Sequence, residues 1–169
     1  SGIQDDDINK TVYPKHFLGS QGKKVTLAKA EPEDISLLYP DYDTEFHYEI
    51  MNLGVNTEGD FSIFYDMHYM EELDYYKGHP FAAYIYGNQP LEQIENRRLD
   101  NGKRLLVIHD SYALPVIPFL ALKAQYVDAI DPRYFDGSLR TYIERTKPDA
   151  VIVLYNAAEL ANPAMYNFK

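Results

Sequence analysis

The chain has 169 residues, 46% of them hydrophobic, with 26 acidic against 16 basic side chains and a net charge of −10. That is about one domain's worth of chain with enough apolar matter for a core. Such acidity excludes a nucleic-acid footprint and electrostatic adhesion to anionic membranes, and the absence of cysteine excludes disulfides, Cys-based zinc sites and thiol nucleophiles.

In chain order, Ser1-Gly2 reads as a cloning remnant, and residues 1–14, with the acidic run Asp5-Asp6-Asp7, read as a flexible lead-in to a single domain over 15–169. Q-G-K-K at 21–24 is turn chemistry, and 25–30 has the composition of a short strand. E-P-E-D at 31–34 reads as the cap of a helical turn that ends by Pro40. Residues 45–52 alternate like an edge strand and lead into the turn L-G-V-N-T-E-G-D. A further strand is expected over 61–65, a helix over 67–76, and a strand over 84–86 that stops at Gly87-Asn88. Residues 95–102 read as a polar loop closed by an N-G turn. No apolar run approaches the ~20 residues needed to span a bilayer.

From residue 103 the pattern changes. The apolar run Leu105 to Ile108 has the signature of a strand buried on both faces. It stops at Asp110-Ser111, and a helical pattern follows over 113–124. A second strand over 126–130 ends in D-P-R-Y-F-D-G, a helix follows over 137–147, and a third strand over 150–155 ends in Asn156. The expectation is therefore an α/β fold, a parallel sheet in the C-terminal half preceded by a β-rich N-terminal half. Three polar residues, Ser111, Arg133 and Asn156, stand at successive strand ends, where ligands and nucleophiles collect in open α/β sheets.

Each has two readings. Asp110-Ser111 sits where a strand meets a helix start, so the pair is either a helix cap or presents Ser111 as a nucleophile beside free backbone N–H groups. Arg133 either binds an anionic substrate group or pairs with Asp131 or Asp136. Gly87-Asn88 is either a loop turn or a tight approach to the site. The chain carries 16 Tyr, 8 Phe and no Trp. Packing is the default role for tyrosine, with Tyr112 and Tyr134, close to the strand ends, as candidate substrate contacts. Of five histidines, His109 reads as packed in its strand, whereas Asp66-Met67-His68 has the Asp-x-His spacing of an acid–base pair. No H-x-x-H, H-E-x-x-H, Walker or G-x-G-x-x-G pattern occurs, so neither a metal nor a nucleotide cofactor is expected.

The blocks L-L-V-I-H-D-S-Y-A-L-P-V-I-P-F-L, V-D-A-I-D-P-R-Y-F-D-G-S-L and K-P-D-A-V-I-V-L-Y-N resemble the DHHW protein family, a branch of the SGNH (GDSL-like) hydrolase and acyltransferase group. The resemblance extends upstream through H-P-F-A-A-Y-I-Y-G-N-Q-P and, more weakly, F-L-G-S at 17–20. It implies an SGNH-hydrolase-like (flavodoxin-like) sheet with Ser111 as nucleophile and Asn156 as oxyanion donor. It implies a bacterial cell-envelope or extracellular serine esterase or O-acyltransferase acting on acetylated carbohydrate. Arg133, Tyr112, Tyr134, Gly87 and Asn88 are then the candidate substrate-binding residues. The Asp-His-His-Trp motif that names the family is absent, because the chain has no Trp. The expectation is a C-terminal portion of a longer protein, with the base and any anchor or signal sequence outside these residues. Asp66 and His68 are the pair within the chain that could replace that base. The alternative is a non-catalytic binding module of the same fold.

Overall fold

The computed structural model describes residues 7–166 apart from 21, 26, 28 and 72. The chain divides into two compact units, Ser1–Asp43 with Tyr65–Gly87 and Thr44–Phe64 with Asn88–Lys169.

The first unit is built on two antiparallel strands, β1 (Ile8–Phe17) and β2 (Glu33–Pro40), with Ile8 opposite Pro40 and Phe17 opposite Glu33. The expected lead-in is thus a strand from Ile8 on. β2 also replaces the helical turn expected at 31–34, and its alternation buries Ile35 and Leu37. The hydroxyls of Tyr65 and Tyr84 donate to the carbonyls of Leu38 and Ser36. Those are alternate residues of β2, so both carbonyls point to one side of the strand, and the tyrosines satisfy polar groups that a strand edge leaves open. The helix expected over 67–76 contracts to α1 (His68–Glu71). The strand expected over 84–86 is a turn with Ile85, Tyr86 and Gly87 at positive φ, and Tyr84 forms an isolated bridge with Tyr65. Residues 22–25, 27 and 29–30 form turns rather than strand; the rest of the expected 25–30 strand lies outside the described residues.

The second unit is a six-stranded mixed sheet in the order β4-β3-β5-β7-β6-β8, formed by β3 (Phe46–Ile50), β4 (Val55–Gly59), β5 (Glu92–Asn96), β6 (Arg104–His109), β7 (Tyr126–Ile130) and β8 (Ala150–Leu154). The parallel sheet expected from the sequence is the trio β7-β6-β8; β3, β4 and β5 extend it as antiparallel strands. β4 lies where a turn is expected, and 61–65 turns as a 3₁₀ segment instead of a strand. Leu106, Ile108 and Ile130 cluster with Leu139 and Tyr142 of α3 (Leu139–Thr146). Phe46, Tyr48 and Ile50 alternate inward on β3, where Phe46 and Tyr48 meet Phe64 at ring separations of 4.9 and 5.2 Å. Phe61 in turn meets Phe119 of α2 (Ile117–Leu120) at 4.9 Å.

The helix expected over 113–124 is broken into a 3₁₀ turn at Ser111–Ala113 and the short α2. Pro115 and Pro118 account for this. Neither has an N–H to donate within a helix, so both are tolerated only in first turns. β6 connects to β7 on one side and β7 returns to β8 on the other, so the strand order reverses beside β6. In open α/β sheets that is where ligands bind, outside the carboxyl ends of the strands.

Candidate functional site

Asp110, the residue after β6, has its hydrogen-bonding groups committed in every direction. Its N–H donates to Leu154 O at 3.4 Å, at the end of β8, and its carbonyl accepts from Ala113 N at 3.1 Å and contacts His109 Nδ1 at 3.0 Å. Its carboxylate accepts the Tyr112 N–H on Oδ1 at 2.8 Å and the Asn156 N–H on Oδ2 at 2.7 Å. The cap predicted from the D-S dipeptide is therefore present, and the same carboxylate ties the turn that carries Ser111 to the end of β8.

Ser111 is half-buried as the first residue of that turn. Its N–H has no partner within the turn, as at any such N-terminus, and its hydroxyl makes no hydrogen bond among the described residues. Asn156 caps the next turn through Oδ1, which accepts from Ala158 N at 3.0 Å. Its Nδ2 makes no bond among the described residues and remains a donor. Asp110 thus holds two loops together, one bearing a hydroxyl with an open backbone N–H and one bearing an open side-chain amide.

Arg133, after β7, is paired with Asp131. Its Nε lies 2.9 Å from Asp131 Oδ1 and its Nη2 2.6 Å from Asp131 Oδ2, with Glu159 Oε1 3.7 Å from Nη1. This fork on a fully buried carboxylate raises the guanidinium pKa. Tyr155, beside the same charges, is pushed up to about 12, mainly by burial. Tyr112 and Tyr134 are 64% and 54% exposed, and the Arg133 guanidinium lies 5.6 Å from the centroid of the Tyr134 ring. Asn88 has a buried Oδ1 with no partner among the described residues, and next to it the Gln89 carbonyl accepts the Asp131 N–H at 3.4 Å. The Asn-Gln pair of the G-N-Q-P block is therefore brought to the carboxyl end of β7. Gly87 belongs to the other unit. Its φ of +78° demands a residue without Cβ, which would meet Ala82 Cβ at 3.3 Å.

Asp66 and His68 also lie in the first unit. Asp66 Oδ1 accepts the His68 backbone N–H at 3.1 Å, whereas the His68 ring, on a side chain 82% exposed, stands 3.8 Å from Glu71. The carboxylate-to-ring bond that orients a catalytic base is not among the described bonds. Within the second unit His47 bonds Asn56 and His109 is fully buried, and neither ring bonds the Ser111 hydroxyl among the described residues. No group of three or more His, Asp or Glu able to hold a metal gathers among the described residues.

No family model and no curated protein matches the chain. Solved structures share its fold. Bacillus cereus PatB1 superposes with a TM-score of 0.73 at 23% identity, over 99% of this chain and 54% of that one. PatB1 with a sulfonyl adduct gives 0.72 at 22% identity, over 99% and 52%. A DHHW family protein from Eubacterium siraeum gives 0.70 at 18% identity, over 98% and 54%. The chain thus spans about half the length of the structures it matches, and what it shares with them is a mixed α/β architecture.

Three residues of the site have partners that the sequence does not reveal. Asp110 is visible as a cap, but its bond to Asn156 spans two helices and two strands. Glu159 is an ordinary polar residue of a turn. Glu92 sits on β5, fully buried, with Tyr48 Oη donating to its Oε2 at 2.5 Å and Oε1 unpartnered among the described residues. Burial raises its pKa well above the usual carboxyl range, and the nearby Asp131 charge adds to the effect.

Proposed function

We propose that this chain carries the nucleophile and oxyanion-binding part of an SGNH-like serine esterase or O-acyltransferase of the bacterial cell envelope, acting on acetylated carbohydrate. The observation that carries the reading is the Asp110 clamp. It joins an unbonded serine hydroxyl at the start of a turn to a loop whose asparagine keeps a free amide donor. The sequence blocks around Ser111, Arg133 and Asn156 support the same reading through their resemblance to the DHHW family.

In this mechanism Ser111 Oγ attacks the acyl carbonyl while its proton passes to a base. The carbonyl electron pair moves onto oxygen, which the Ser111 N–H and Asn156 Nδ2 stabilise. Collapse expels the sugar oxygen, which takes the proton back from the base. Water then releases the acyl group as an acid, or a second carbohydrate hydroxyl takes it as an ester. The resemblance assigns the base to an Asp-x-His pair upstream of this stretch. Tyr112 and Tyr134 offer exposed rings to a sugar, with Arg133 and Asn88 as further contacts. No helix among the described residues is long and apolar enough to cross a membrane.

One observation favours a second reading, a non-catalytic glycan-binding module. It is the use of the Asp66 carboxylate on a backbone amide instead of the His68 ring. Treating the full-length protein with an aryl sulfonyl fluoride and mapping the adduct by mass spectrometry separates the two. The catalytic reading expects one adduct on Ser111 that is lost in Ser111→Ala. An adduct that persists in that variant overturns Ser111 as nucleophile, and no adduct at all favours the binding module.

A further inference from the structure

We propose that His109 is a positioning residue for this acyl-transfer centre: its Nδ1–H holds the Asp110 carbonyl inward and so turns the Ser111 N–H outward as an oxyanion donor. The proposal rests on the reading of Ser111 as nucleophile.

The chemistry of the contact fixes the direction of the bond. His109 Nδ1 lies 3.0 Å from Asp110 O, and a carbonyl oxygen only accepts. Nδ1 therefore carries the proton, and Nε2 is a bare acceptor. Nε2 is buried with no partner among the described residues. The opposite tautomer would set a ring lone pair against the carbonyl oxygen and leave a donor unsatisfied in the interior. The imidazolium would bury that donor together with a charge. The charges facing the ring are the carboxylates of Asp131 and Asp110 and the guanidinium of Arg133. Desolvation outweighs the carboxylates and lowers the ring's pKa, so it stays neutral.

The carbonyl that His109 holds belongs to the Asp110–Ser111 peptide. A trans peptide is planar, with C=O and N–H pointing in opposite directions. Fixing the carbonyl against a buried ring therefore fixes the outward direction of the Ser111 N–H. The Ala113 N–H takes the other side of the same oxygen at 3.1 Å, so the peptide plane is held from the core and from the turn. Preorganised donors of this kind lose their value when they can swing.

Two measurements test this on the full-length protein. Long-range ¹H–¹⁵N NMR of the His109 ring is expected to show a neutral ring in the Nδ1–H tautomer at pH 7. An Nε2–H tautomer, or an imidazolium at that pH, overturns the proposal and needs no variant that folds. Second, the rate of Ser111 sulfonylation and ester turnover is compared in His109→Phe and His109→Asn. The phenylalanine variant keeps the ring volume and loses the donor, whereas asparagine places an amide N–H where Nδ1 stood. Expected are a drop in kcat of about tenfold to a hundredfold with KM unchanged for His109→Phe, and recovery to within about threefold for His109→Asn. A His109→Phe protein that reacts as fast as wild type overturns the positioning role alone. A wild-type protein with no adduct on Ser111 overturns the nucleophile reading and this role with it.

Discussion

Asp110 Oδ2 accepts the backbone N–H of Asn156 at 2.7 Å across 46 residues of sequence. The bond closes the carboxyl ends of β6 and β8, on either side of which the candidate nucleophile and the candidate oxyanion amide emerge. Asp110→Asn keeps one oxygen for two amides and turns an NH₂ toward the other. The expected loss is about 2 kcal/mol of stability, the range of hydrogen bonds to a charged acceptor. Urea unfolding of the variant checks the figure. A change under 0.5 kcal/mol, on the order of an unremarkable surface substitution, would show that the clamp contributes little.

Asn156 has two separable jobs, and a pair of variants divides them. Asn156→Asp keeps an acceptor for the Ala158 N–H, so the turn and the melting temperature are retained. It replaces the amide donor with a carboxylate, and the Ser111 reaction rate is expected to fall at least about a hundredfold, as when an oxyanion donor is removed. Asn156→Ala loses the cap as well, at about 1 kcal/mol. Wild-type reactivity in Asn156→Asp would reduce Asn156 to a cap.

The strands that position the site are legible in the sequence because β6, β7 and β8 are short apolar runs bounded by charge and turn residues. β5 is not, for a specific reason. Its inward positions are Glu92, Ile94 and Asn96, so its core-facing side reads as polar and the alternation disappears. β1 is hidden in the same way by a mostly exposed, polar composition. In the site, the cap role of Asp110 follows from D-S after a strand, and the ion pair of Arg133 from the neighbouring Asp131. The tie from Asp110 to Asn156 depends on β6 and β8 lying side by side, which residue spacing alone does not contain. The orphaned polar atoms of His109 and Glu92 are likewise products of packing.

Arg133 tests how far the charge below the site is structural. Asp131 is fully buried and depends on the guanidinium fork. Arg133→Met leaves that carboxylate without its cation, and the expected cost is about 3 kcal/mol, as for a broken buried pair. Adding Asp131→Asn should recover part of it, since the stranded charge is then gone. Thermal unfolding of the two single variants and the double variant measures the coupling. Simple additivity would show that the pair is not acting as a unit.

Two buried titratable groups beside the site, Glu92 and His109, shape the pH profile from opposite sides. The Glu92 pKa is raised in the folded state, so above the ordinary carboxyl value the native protein holds a proton that the unfolded chain has released. Stability then falls as pH rises, by up to about 1.4 kcal/mol per pH unit, until the folded pKa is passed. The His109 pKa is lowered, so below about 6.5 the unfolded chain binds a proton that the native ring refuses, and stability falls as pH drops. Glu92→Gln should remove the first slope and stabilise the protein near neutral pH, because a neutral amide keeps an acceptor for the Tyr48 hydroxyl without a charge to desolvate. His109→Asn should flatten the profile just below about pH 6.5 and leave the Glu92 slope in place. Denaturant melts of wild type and both variants from pH 5 to 9 read these slopes separately. A Glu92→Gln profile parallel to wild type above pH 6 would mean that Glu92 ionises in the folded protein as readily as in the unfolded chain, which its full burial beside Asp131 argues against.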